Sequence, residues 1–156
     1  MRKLLLIGLL FAGACQSRTS EAPVTVPTPA TVAEPAGPGA NSPRLAVDGF
    51  LGAVRAGDLQ AMSGIWGDKN GPVRHSKIFS REEMEQRELI LIRCFKHDSF
   101  RVLAESPAVD GERVFQVELR RGTLSRTTDF FTAKGGDRWY MRYANPDPMK
   151  EFCSAK

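Results

Sequence analysis

The stretch Ser99–Tyr143, SFRVLAESPAVDGERVFQVELRRGTLSRTTDFFTAKGGDRWYMRY, decides the fold. Apolar residues recur at every second position. Phe100, Val102 and Ala104 alternate with Arg101 and Glu105; Phe115, Val117 and Leu119 with Gln116, Glu118 and Arg120; Trp139, Met141 and Tyr143 with Tyr140 and Arg142. A period of two is that of a half-buried strand. Between the runs stand Asp110-Gly111, Arg121-Gly122-Thr123 and Gly135-Gly136-Asp137, which supply glycine where a tight turn needs positive φ. The pattern predicts four strands that follow one another as antiparallel neighbours.

Upstream the period changes to that of a helix. Ser42 suits a cap and Pro43 the first helical position, and Val47, Phe50, Leu51 and Val54 fall at i, i+3, i+4 and i+7 before Gly57. Asp58 offers a second cap for a short helix through Leu59, Met62, Ile65 and Trp66, ending at Gly67. Gly67 to Pro72 reads as a loop and Val73 to Phe79 as a short irregular strand. Ser80 and Glu83 form a capping box for a third helix, with Glu82, Glu85, Arg87 and Glu88 solvated in its first half and the run Leu89–Ile92, Cys94 and Phe95 deeply buried in its second. Arg93, amid that run, reaches solvent from the outer side. Asp147 to Ser154 predicts a last helical turn or two that returns Phe152 and Cys153 toward the third helix.

At the other end, residues 1–14 read as an export signal: Arg2 and Lys3, the apolar run Leu4–Phe11, then Ala12, Gly13 and Ala14 before Cys15. Eight apolar residues are too few to span a bilayer core of about 30 Å, which suits a cleaved signal rather than a permanent helix. Ala-Gly-Ala-Cys resembles the lipobox of bacterial lipoproteins, which implies acylation of Cys15 and a lipid anchor in the membrane. Gln16, in place of the Asp that resembles an inner-membrane retention signal, points to an outer-membrane destination facing the periplasm. Residues 16–43 hold six prolines among Ala, Thr, Val and Gly, without aromatic, Leu or Ile residues. The expected organisation is a signal peptide over 1–14, an acylated Cys and disordered linker over 15–43, and one domain over 44–156. As polyproline II the linker would reach at most roughly 85 Å, and as a flexible coil about 30 Å.

The 113 residues from 44 to 156 suit one core. They carry 19 Lys and Arg against 16 Asp and Glu, spread along the chain. Without basic blocks or a stacking motif, the composition argues against a nucleic-acid partner. Beyond Cys15 there are two cysteines, Cys94 and Cys153, and an even pair in an exported domain predicts a disulfide. The alternatives are a buried small hydrophobe at Cys94, or a metal site with His75 and His97, for which the ligand spacing is lacking.

Helix, helix, loop, helix and then four antiparallel strands is an α+β layout. The opening AVDGFLGAVRAGDLQAMSGIW, Ala46–Trp66, with its Gly-Asp step, is similar to that of nuclear transport factor two-like domains. The stretch LILIRCFKHDSFRV, Leu89–Val102, resembles a group of uncharacterised bacterial lipoproteins of that superfamily. The resemblance implies a cone-shaped curved sheet of about four main strands packed on three N-terminal helices. It leaves function open, since the superfamily holds isomerases, epoxide hydrolases, cyclases and dehydratases beside members without catalysis.

A catalytic member needs an acid or base in the cone, opposite a hydrogen-bond donor. Asp48, Asp98, Asp129, His75 and His97 are the candidates, and each reads first as a solvated charge or a cap. No catalytic dyad emerges. Trp66, Phe115, Arg126 and Tyr140 are the expected pocket lining, an aromatic rim with one cation suited to a small apolar or anionic ligand. Nucleotide-binding, zinc-protease and serine-hydrolase motifs are missing from the sequence, and no cofactor is implied. The preferred reading is a non-catalytic envelope lipoprotein whose cone binds a small molecule, a peptide or a partner subunit. The alternatives are a small-molecule isomerase, dehydratase or hydrolase, or a filled interaction domain that forms a homodimer through a sheet face.

Overall fold

The computed structural model describes residues 37–155. The export signal, Cys15 and the linker as far as residue 36 lie outside the described residues. Helix α1 spans Pro43–Ala56, with the Ser42 hydroxyl accepting from the Leu45 N–H and Gly57 closing it in the left-handed conformation at φ 69°. Its buried stripe is Ala46, Val47, Phe50, Leu51, Ala53 and Val54. Helix α2, Leu59–Ile65, begins where the Asp58 carboxylate accepts from the Ala61 N–H at 2.9 Å. Each such cap satisfies an otherwise orphaned N–H, an effect of about 1 kcal/mol.

After α2 a minimal hairpin forms, β1 (Gly67–Asp68) against β2 (Gly71–Pro72). Residues Val73–His75 then make a 3-10 turn. The strand expected over Val73 to Phe79 is therefore absent: Pro72 N cannot donate, and Ser76 N bonds back to Val73 O at 2.9 Å rather than across to a neighbour. Helix α3, Arg81–Phe95, carries the capping box between Ser80 and Glu83.

The main sheet has the order β3 (Ser99–Pro107), β4 (Arg113–Arg121), β5 (Leu124–Gly135) and β6 (Arg138–Ala144), all antiparallel. It is the expected four-stranded meander, in an α+β domain. Phe115, Val117 and Leu119 face inward from β4 and are fully buried, as their alternation requires. Two register breaks, at Val102/Ala104 and at Phe131/Thr132, bend the sheet. The second leaves Arg142 without a Cα partner and reverses the phase of β6. Met141 and Ala144 thus reach the core, while Tyr143 is 45% exposed rather than inward-facing. Gly135 permits the close approach of the β1–β2 hairpin: a Cβ there would stand 2.7 Å from the Asp68 carbonyl oxygen.

The core joins α1 to all of these elements. Phe130 of β5 meets Phe50 of α1 edge-on at 6.3 Å between ring centroids, and Phe95 of α3 at 5.5 Å. Helix α3 is buried less than its apolar run suggests. Glu88, Leu91, Ile92 and Phe95 recur along its inner side, so Leu89 and Ile90 fall outside at 56% and 61% exposure. Glu88, read from the sequence as solvated, is instead 1% exposed, because it occupies that inner stripe.

The tail returns as predicted. A 3-10 turn, Asp147–Met149, leads into α4, Lys150–Ser154, which buries Phe152. Cys153 is disulfide-bonded to Cys94 of α3. Arg93 Nε donates to the Cys153 carbonyl at 2.7 Å, and Arg121 donates to the carbonyls of Phe152 and Ala155.

A cross-link between residues 59 apart restricts the unfolded chain. On the chain-entropy model that is worth about 4 kcal/mol. The paired change Cys94→Ala/Cys153→Ala should lower the unfolding free energy by about that amount in urea titrations, and reduction of the native chain should match it.

Candidate functional site

The space between the sheet and α1, where the expected cone would bind its ligand, is filled by side chains, so that expectation is corrected. Phe50, Phe95, Phe115, Phe130, Met141 and Phe152 fill it, each fully or almost fully buried. The four expected pocket residues do not converge there. Phe115 is a core side chain with no exposure. Tyr140 packs against Gly39 and Gly135, whose missing Cβ atoms make room for its ring. Arg126 turns outward to the Glu151 carboxylate and the Ser125 carbonyl. Only Trp66 lines a cleft. Phase along a strand places Phe115 on the inner face, but whether that face meets a cavity or packed helices depends on volumes contributed by α1 and α3.

The acid and base candidates are likewise dispersed. Asp48 pairs with Arg44 at 3.0 Å on the surface of α1. The Asp98 carboxylate accepts from Gly122 N at 2.7 Å and secures the β4–β5 turn. Asp129 is half-buried, and its carbonyl accepts from Asn145 N. His75 ends the 3-10 turn exposed. His97 is buried rather than a surface complement to the helix end. Its Nδ1–H donates to the Phe95 carbonyl at 2.8 Å, Nε2 has no partner, and the ring stands edge-on to Phe100. Burial holds the imidazole below its ordinary pKa, with Arg55 adding to the effect against the Phe95 carbonyl and Asp98. Among the described residues, no three His, Cys, Asp or Glu cluster closely enough to hold a metal.

Two of the surface clefts adjoin the segment between α2 and α3. The first, about 540 Å³, opens between α2, the Val73–His75 turn and α3. Leu59, Val73, Phe79 and Met84 supply apolar walls; Ser63, Arg74, Arg81, Glu85 and Glu88 supply polar groups. Arg81 and Glu85 pair at 2.9 Å along α3. The Arg74 guanidinium lies against Gly64 of α2, so close that a Cβ there would stand 3.3 Å from Nη1. Arg74 has no carboxylate partner among the described residues. The second cleft, about 600 Å³, is lined by Trp66, Pro72, Lys77, Ile78, Phe79 and Arg142. Ile78 is 75% exposed at its rim, and Glu112 pairs with Arg142 from outside.

Glu88 is the unusual group. Its Oε1 is buried without a hydrogen-bond partner, and the residue lines the first cleft. Burial pushes its carboxyl up to about 7 from an ordinary 4.5, and the neighbouring Glu85 carboxylate adds to the rise. A carboxyl so placed is half-protonated near neutrality, so it can donate or accept a proton or receive a cation. Sequence reasoning missed it because Arg81 to Glu88 is almost wholly charged. The signal was the spacing Met84, Glu88, Leu91, Phe95, which continues the inner stripe of α3 through a carboxylate.

No protein-family model and no curated protein sequence matches the chain. In structure it is similar to an NTF2-like protein of unknown function from Cytophaga hutchinsonii, at 14% identity over 69% of this chain and 93% of that one, with a TM-score of 0.40.

Two predictions follow from this geometry. Phe115→Ala opens a hole among the rings and should cost about 3–5 kcal/mol of unfolding free energy, whereas Arg126→Ala, at the surface, should change it by under about 1 kcal/mol in the same denaturant titration. Glu88 and His97 give opposite pH slopes. Because the Glu88 carboxyl is raised in the fold, its contribution is most favourable below about pH 4.5, and stability is lost as pH climbs through 7, by up to about 3 kcal/mol. Because His97 is lowered, stability is instead lost as pH falls below 6.5. Glu88→Gln should therefore raise stability at pH 8, change it little near pH 4.5, and leave a profile that rises between pH 5 and 7.

Proposed function

We propose that this chain is an envelope lipoprotein, anchored through an acylated Cys15, whose α+β domain binds a small ligand or a partner without transforming it. The observation that carries the binding reading is the filled cone. With Phe50, Phe95, Phe115 and Phe130 occupying its interior, no chamber is left there, among the described residues, around which an acid and a donor could be arranged. Recognition falls instead to the two outer clefts, both in the size range of small-molecule sites. Anchoring is supported by the residues from Arg2 to Cys15, and the tether by the proline-rich segment that follows.

A second reading is favoured by the Glu88 carboxyl, whose raised value suits general acid–base chemistry in an isomerase, dehydratase or hydrolase. In the same cleft Arg74 would be the hydrogen-bond donor that such a site also requires.

Mass spectrometry of the full chain from a bacterial membrane fraction tests the proposal. The expected product begins at Cys15 and carries the added mass of acyl chains, and Cys15→Ala should abolish that mass and release the protein from the membrane. Native spectra of the same preparation should retain a bound small molecule or partner. An unmodified Cys15 overturns the anchor, and turnover that depends on Glu88 overturns the non-catalytic reading.

A further inference from the structure

The first cleft contains one acid and one base that the fold leaves uncommitted. Glu88 projects from α3 with Oε1 buried and unpartnered. Arg74, on the 3-10 turn, lies over Gly64 and pairs with no carboxylate among the described residues. A buried carboxyl without a donor costs the fold free energy unless something brings the missing hydrogen bond. Such a cost persists more readily where a ligand supplies the partner. The local field specifies the sign of that partner. Glu85, one helical turn before Glu88, adds negative potential at the carboxyl, which favours a cation over an anion at that point. Arg74 presents the opposite demand from the other element of the cleft, and an unpaired guanidinium suits a carboxylate through two parallel N–H donors. Leu59, Val73 and Met84 supply apolar surface in the same cleft.

We propose that this cleft binds a small zwitterion of amino-acid to dipeptide size, with its primary amine on the Glu88 carboxylate, its carboxylate on Arg74 and an apolar side chain against Leu59, Val73 and Met84. The inference rests on the binding reading above and gives it a chemical class. Binding of the ammonium favours the ionised form of Glu88: a proton on its carboxyl passes to solvent, and the ammonium donates to the open acceptor Oε1. The cleft of about 540 Å³ has room for such a molecule with water beside it.

Isothermal titration of the full chain in detergent, with leucyl-leucine, N-acetyl-leucyl-leucine and leucyl-leucinamide, tests it. The free dipeptide should bind, and blocking either end should weaken binding at least tenfold. Glu88→Gln should erase the preference for the free amine while keeping that for the free carboxylate, and Arg74→Gln should do the reverse. Equal affinity of the native chain for the free and acetylated dipeptides, or a full amine preference in Glu88→Gln, overturns the proposal. So does the lack of binding by all three probes; in that case the broader binding reading is judged separately, by the small molecule or partner retained in native spectra. Should Glu88→Gln fail to fold, Glu88→Asp serves: it withdraws the carboxylate by one methylene, so weaker binding of the free dipeptide supports the contact and unchanged affinity overturns it.

Discussion

The structure depends on the packing of one helix into a bent sheet. The buried stripe of α1 from Ala46 to Val54 has no polar member, and it leaves water where β4, β5 and β6, together with α2 and α3, close around it. Burying a side chain the size of Phe50 or Leu51 is worth roughly 1.5–3 kcal/mol, so this one face supplies a large share of the driving force of a small domain. The three rings of Phe50, Phe95 and Phe130 then fix the positions of α3 and the sheet relative to α1. Edge-to-face contacts have preferred separations, which makes the junction directional as well as apolar.

With the space between the sheet and α1 filled in this way, the larger clefts lie at the periphery. The segment between α2 and α3 holds a short hairpin and a 3-10 turn, and side chains from α2, that turn and α3 line one cleft there. It is also where a carboxyl is held in the wall of a cleft without its own donor. A core made of Phe, Leu and Met tolerates no such group, whereas the seam between α3 and its neighbours does. The division is physical: the sheet and α1 provide rigidity, and the α2–α3 seam carries the unpartnered Glu88 Oε1, while His97 Nε2 lies beyond the end of α3.

Elements whose pattern is local were legible in the residues alone. The caps at Ser42, Asp58 and Ser80, the stop at Gly57, and the inward face of β4 depend on spacings of one to seven residues, and they appear where those spacings put them. The pairing of Cys94 with Cys153 was legible from compartment and number rather than geometry. What sequence could not show depends on partners distant in the chain. The bulge at Arg142 is visible only against Phe131 and Thr132 of β5, and without it Tyr143 would share the inward face of Met141. The depth of Leu89 and Ile90 depends on how far α4 and the sheet extend over α3. Glu88 was hidden because a carboxylate in a charged helical turn ordinarily belongs to water, and its burial follows from the angular position it shares with Met84 and Phe95.

The two borders of the sheet are treated differently. At β6, Ala40 and Trp139 exchange a pair of backbone hydrogen bonds at 2.8 Å, Trp66 bridges to Met141, and Arg138 ties the incoming segment through Asn41 and the carbonyls of Gly37 and Gly39. At β3 no strand covers the outer side among the described residues; there the bulge at Leu103 and the terminal Pro107 interrupt the row of free amides, and Arg101 and Glu105 stud it with charge. An uninterrupted border would template another chain, as in fibrils and swapped dimers. Copies of this domain crowded together at high density are thus disfavoured from zipping into ribbons, and the means is a plugged margin on one side and a broken one on the other.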